Sequence, residues 1–348
     1  MKRFNVTGVC VPGKHYMVNI SGKLAQIKEM VDYGDYFTIN PARQYGKTTT
    51  LSLLEDILKG EYIVASISFE GLGDESFESE GMFCAAFIDL VGEALEFADA
   101  PDGFAERWHD ADATNFRGLA RHITKVCRPG KTGSGMKLVL IIDEVDKTSN
   151  NRTCLHFLGL LRDKYLKREQ NKDYTFHSVI LAGVYDIKNI KLKMINEGAY
   201  TPAASENKLY NSPWNIAANF RVDMSFDATE ISTMLAEYEA DHSTGMDVRA
   251  IAEEIYSYTS GYPFLVTRIC QCIEEELGKD WTHHGVRAAV GIMLGESNTL
   301  FDDMIKNLEN NAELYGFLYD LLFIGNGYEL NADNPVISLG LIDRKSVV

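Results

Sequence analysis

Tyr36-Phe37-Thr38-Ile39-Asn40-Pro41-Ala42-Arg43-Gln44-Tyr45-Gly46-Lys47-Thr48-Thr49-Thr50-Leu51 decides how the rest of this chain is read. The apolar run ending at Ile39 predicts a short buried strand, and a polar turn follows it. From Thr48 to Lys59 apolar residues fall at 51, 54 and 58, with 53 and 57 beside them, which is the spacing of an amphipathic helix. Strand, turn and helix in this order form the setting in which Gly-Lys-Thr binds phosphate. The first amides of a helix have no partner within it and sit at the positive end of its dipole, so they attract polyphosphate. Lys47 would meet the β- and γ-phosphates as a point charge, and the Thr48 hydroxyl would be offered to Mg²⁺. Arg43, Gln44, Tyr45, Gly46 and Thr49 complete the candidate nucleotide-binding segment.

The full phosphate-loop pattern has glycine where this chain has Pro41. Proline fixes φ and donates no hydrogen bond, so the entrance of the loop must differ even with Gly46-Lys47-Thr48 intact. A bare Gly-Lys-Thr at the start of an ordinary helix would read the same way, so a second motif has to decide. Leu138 to Ile142 is an apolar run closed by Asp143 and Glu144. Such a run predicts a central parallel strand with helices on both sides. In open α/β sheets, ligands lie beyond the carboxyl ends of the strands, where these two acids would fall. Asp143 would hold Mg²⁺ directly or through water, and Glu144 would polarise an attacking water. A solvated acidic turn is the alternative; the pairing with the loop, in this order, favours a nucleotide site.

The 348 residues suit one large or two ordinary domains, with apolar content of 45% and charged content of 24% typical of globular chains. A net charge of −16 argues against broad non-specific hold on nucleic acid or anionic membrane, though not against a local basic patch. Six scattered cysteines, Cys270-Gln271-Cys272 among them, lack zinc spacing and read as reduced thiols. Neither a secretory signal nor a run near the ~18 apolar residues of a membrane span is found, so a cytoplasmic location with no membrane partner is expected.

Alternation of strands and helices to about residue 226 predicts a mostly parallel sheet. Within it, Asn19 or Ser21 is expected to cap a helix stopped by Gly34, Tyr62 to Phe69 to form a strand, and 99 to 113 to be a loop. Phe176 to Val184 and Phe220 to Phe226 are further predicted strands, with a loop-like segment between Asp186 and Asn219 that would lie beside the nucleotide or form a solvated insert. Asp227 and Glu230 form a capping box, after which nearly all apolar spacing is helical, broken at Gly261-Tyr262-Pro263. The boundaries expected are 1–226 for the core, 227–280 for a helical lid and 281–348 for a winged-helix-like segment.

Taken together, Arg43 to Leu51, Leu140 to Asp146, Val179 to Asp186 and Ser260 to Val266 resemble the bacterial AAA-like, archaeal-ATPase-type P-loop family, relatives of the STAND signalling ATPases. The resemblance spans nearly the whole chain. It implies an α/β, ASCE-type P-loop NTPase core with helices on both faces, a helical lid, a winged helix, and the Gly-Tyr-Pro turn near the nucleotide. Many such relatives continue into a restriction-endonuclease-like domain, and the expectation here is a truncated relative without it. The implied activity is Mg²⁺-dependent ATP hydrolysis in which ATP closes the lid, with Glu144 and Lys47 catalytic, and with ATP or ADP and a protein partner or second copy as ligands. Arg43, Arg221 and Arg268 are the candidates for neutralising developing charge. A nucleotide-binding scaffold without turnover and a DNA-associated regulator acting through the wing stay open. The sparse Arg287, Lys306, Arg344 and Lys345, beside the acidic Glu274-Glu275-Glu276, disfavour the latter. His283-His284 reads as a helix-start or surface pair rather than a metal site.

Overall fold

Leu138 to Ile142 build the centre of the sheet because side chains of both parities are apolar. The structure, a computed structural model, describes residues 2–40, 43–98, 100–111, 113–130, 135–145, 152–183, 214, 216–296 and scattered positions between 305 and 323. Contacts divide the chain into two units, one of residues 20–40 and 46–224 and one of 1–19, 41–45 and 225–348.

In the first unit, β1 (Tyr36–Ile39), β2 (Tyr62–Ser68), β3 (Lys137–Asp143) and β4 (Ser178–Ala182) form, among the described residues, one parallel sheet in the order β1-β4-β3-β2. β4 therefore lies between the strand that enters the loop and the strand that ends in the acids. The register sets Ile39 beside Ala182 and Ser68 beside Asp143, so the carboxyl ends of all four strands share one edge.

Leu138, Leu140 and Ile142 join a core with Phe83 and Phe87 of α3 (Glu80–Glu96), Leu119 of α5 (Phe116–Cys127) and Leu158 of α6 (Arg152–Glu169). The alternate residues Val139 and Ile141 are fully buried as well. On their side α2 (Lys47–Leu58) packs against β2, and α1 (Ser21–Tyr33) packs against α2. Each buried aliphatic side chain contributes roughly 1.5–3 kcal/mol, which makes β3 the firmest mount in the sheet.

Several expectations are corrected. Ile20, not Asn19 or Ser21, is the N-cap of α1, without a side-chain cap, although Gly34 ends the helix in the left-handed conformation as expected. Residues 99–113 contain α4 (Phe104–His109), whose Phe104 and Trp108 are fully buried one turn apart, with Trp108 Nε1 donating to Ile88 O at 3.0 Å. Two apolar residues in an acidic stretch are too few for periodicity to reveal such a helix. Phe220 to Phe226 is not a strand. Instead Ala218 N donates to Tyr36 O at 2.8 Å in an isolated parallel bridge to β1.

The second unit is helical: α7 (Ala228–His242), α8 (Val248–Thr259), α9 (Pro263–Glu275) and α10 (His283–Gly295). Asp227 and Glu230 make the reciprocal capping box at the start of α7, a motif whose cap is worth about 1 kcal/mol. Residues 2–19 belong here. Phe4 and Tyr16 are buried against Tyr238, with ring centroids 5.2 and 5.1 Å away. Tyr16 Oη donates to Asp241 Oδ2 at 2.9 Å. The polar stretch 146–151, most of the segment between 186 and 219, and the wing expected beyond α10 lie outside the described residues.

Candidate functional site

The loop enters α2 through Gly46, whose φ of 70° is the left-handed region that glycine adopts without penalty. Thr50 N donates to Gly46 O at 2.9 Å and opens the helical ladder. The amides of Gly46, Lys47 and Thr48 precede it, so the ladder offers them no carbonyl. Thr50 itself is buried and roots the first turn in the sheet unit. Gln44, at φ 61°, is also left-handed.

Asp143 is the last residue of β3, only 8% exposed, and it binds on both oxygens. Its Oδ2 accepts from the Thr48 hydroxyl at 3.0 Å. Its Oδ1 accepts from the amide of Glu144 at 2.8 Å and lies 3.1 Å from Lys47 Nζ. Glu144 takes φ 54°, uncommon for a side chain of its size. The Asp143 bond to its amide fixes that turn and directs the Glu144 carboxylate to Lys47, 2.9 Å away. Burial lowers the pKa of Lys47, but its bond to Glu144 and the charge of Asp143 outweigh that, so the ammonium is held above its ordinary value.

Thus the predicted residues Lys47, Thr48, Asp143 and Glu144 lie together, whereas Arg43, Gln44 and Tyr45 group with the helical unit. In that unit the Tyr262 hydroxyl donates to Arg43 O, and the Tyr262 ring meets Tyr45 edge-on at 4.4 Å. In the sequence Gly261-Tyr262-Pro263 is a helix break that the family resemblance implies to lie near the nucleotide; the bond of Tyr262 to Arg43 is not legible there. Arg221 is exposed. Arg268 is taken up by Glu276 at 3.0 Å and by Glu296, so the Cys272, Glu276 and Glu296 cluster already carries a cation. His283 begins α10 and pairs with Glu254, and His284 lies 3.4 Å from Asp280. Among the described residues no helix is long and apolar enough to cross a membrane.

The chain has an α/β fold with a parallel sheet and helices on both faces. It is similar to a Walker-type ATPase of Pyrococcus abyssi, with a TM-score of 0.57 and 12% identity, covering 97% of this chain and 91% of that one. The ORC2 protein of Aeropyrum pernix in its ADP form aligns with a TM-score of 0.45 and 13% identity, over 82% of this chain and 71% of that one. In sequence the chain is 23% identical over 207 residues to an uncharacterised WD repeat-containing protein of Synechocystis sp., 54% of this chain. That stretch is 16% of the length of the curated protein. No family model matches the chain.

Proposed function

We propose that this chain binds ATP with Mg²⁺ and hydrolyses it, and that the cycle drives a conformational switch. The observation that carries the reading is the meeting of Lys47 and Thr48 with Asp143 and Glu144 across 97 and 95 residues of sequence. A lone Gly-Lys-Thr would have no reason to stand against paired acids at a strand end.

The donor set fits the metal. A threonine hydroxyl and a carboxylate 3.0 Å apart are hard oxygen ligands of the kind Mg²⁺ takes. Thr48 and Asp143 would hold the ion, which when bound neutralises charge on the phosphate oxygens. The remaining work falls to the chain. The amides at the start of α2 receive phosphate oxygens, and the charged Lys47 binds the terminal phosphates. Glu144 leaves Lys47 and orients the water, accepting its proton as it attacks. Gln44, Tyr45 and Thr49 line the loop in this reading, with Arg43 at its entrance. The core would end near residue 226 as expected, but without residues 1–19 and 41–45, which group with the helical unit; the lid would run over 227–280 and a wing over 281–348. The similarity to a Walker-type ATPase supports the same direction at the level of fold. We place the protein in the cytoplasm.

Phosphate release from wild type, Lys47→Ala and Glu144→Gln tests the assignment. Turnover in wild type is expected to fall about 100-fold or more in each variant. Equal release from all three would mean that the chemistry lies elsewhere or is absent.

A further inference from the structure

Tyr262 stands on a turn whose backbone is fixed from several sides. Ser260 and Gly261 are both left-handed, at φ 46° and 74°. Gly261 N donates to Thr259 Oγ1 at 3.1 Å, and Gly261 O accepts from Phe226 N at 2.8 Å. The Tyr262 amide donates to Thr259 O at 2.9 Å, and Pro263 opens α9 directly after it. From this mount the Tyr262 hydroxyl donates to the carbonyl of Arg43 while its ring abuts Tyr45.

The Arg43 carbonyl belongs to the peptide that enters Gln44. Holding that oxygen holds the peptide plane, and with it the left-handed φ of 61° at Gln44. Gln44 and Gly46 both hold positive φ, the backbone conformation from which turns that gather amides around an anion are built. Glutamine adopts this conformation only under constraint, and glycine is absent from the loop entrance.

We infer that Tyr262 is a positioning residue for nucleotide binding: its hydroxyl fixes the Arg43–Gln44 peptide, so that the loop presents its amides before ligand arrives. This rests on the ATP-binding reading and adds to it a residue that acts through the backbone of the loop. A rearrangement of residues 43–45 on binding would reach the α8–α9 turn through the same bond, and by reciprocity a strained turn would weaken binding.

Tyr262→Phe in the full chain keeps the ring and removes the bond. Calorimetry with Mg·ATP should give a Kd weaker by about 3- to 10-fold, the range of one hydrogen bond. In the nucleotide-free protein, hydrogen exchange at the amides of 44–46 should speed up, with the far-UV spectrum unchanged. Gln44→Gly accepts positive φ without help, so Tyr262→Phe in that background should cost less than about twofold. Unchanged exchange at 44–46, or an equal loss in both backgrounds, overturns the inference. Should wild type bind no nucleotide, the ATP reading fails, while the exchange comparison still decides whether Tyr262 orders the loop.

Discussion

Lys47 Nζ and Glu144 Oε1 form an ion pair of 2.9 Å, so the cation at the start of α2 and the acid beyond the end of β3 engage each other. Asp143 lies 3.1 Å from the same nitrogen. On the proposed function, the pair must open when phosphate arrives, and part of the binding energy is spent on that exchange. Glu144→Gln removes one competitor for Lys47 while leaving Asp143. Its Kd for Mg·ATP, read by calorimetry, should match wild type or tighten by a few-fold. Lys47→Ala leaves two partly buried carboxylates side by side without a cation, and its binding should drop below detection. If Glu144→Gln weakened binding as severely as Lys47→Ala, the competition described here would be wrong.

The turn that carries Tyr262 penalises a Cβ at two neighbouring residues, only one of which is glycine. A Cβ at Gly261 would lie 1.7 Å from Phe226 O, which is backbone and cannot swing aside. Gly261→Ala should therefore cost about 2–4 kcal/mol, through forced overlap and a positive φ. Ser260 holds φ 46° as the residue capping α8, a conformation that disfavours any Cβ. Ser260→Gly should gain about 1 kcal/mol by relieving it. Urea denaturation of both variants checks the pair. No loss in Gly261→Ala, or a loss in Ser260→Gly, would show that the left-handed backbone does not limit stability at that position.

Much of the sheet unit is legible in the sequence because its signals are local. An apolar run buried on both faces fixed β3, and Gly-Lys-Thr before apolar positions 51, 54 and 58 fixed α2. The strand order, with β4 between β1 and β3, comes from pairing across the sheet and leaves no mark on either strand. The same holds for residues 2–19, whose Phe4 and Tyr16 read as isolated aromatics until Tyr238 supplies the partner. At the site, the residue types named Lys47, Thr48, Asp143 and Glu144, but not the pairing among them. The resemblance implied a Gly-Tyr-Pro turn near the nucleotide but not the bond that Tyr262 makes: its partner is the carbonyl of Arg43, and a backbone atom carries no residue identity.

His177 gives the sheet unit an acid sensitivity unconnected with nucleotide. Its ring lies on Tyr62, with centroids 5.4 Å apart and planes 11° from parallel, and Nε2 is buried without a hydrogen-bond partner among the described residues. Burial, followed by the charges of Lys137 and Arg168, pushes its pKa from 6.5 down to about 4. Between those values the unfolded chain takes up a proton that the folded one refuses, so stability is fully present above pH 6.5 and falls as pH drops toward 4. This one residue would give a slope of up to about 1.4 kcal/mol per pH unit. His177→Phe keeps an aromatic ring on Tyr62 and removes the titrating group. Urea midpoints measured across this range should fall less steeply in the variant. An identical slope in both proteins would assign the acid sensitivity to other groups, since a phenyl ring cannot take up the proton that the imidazole does.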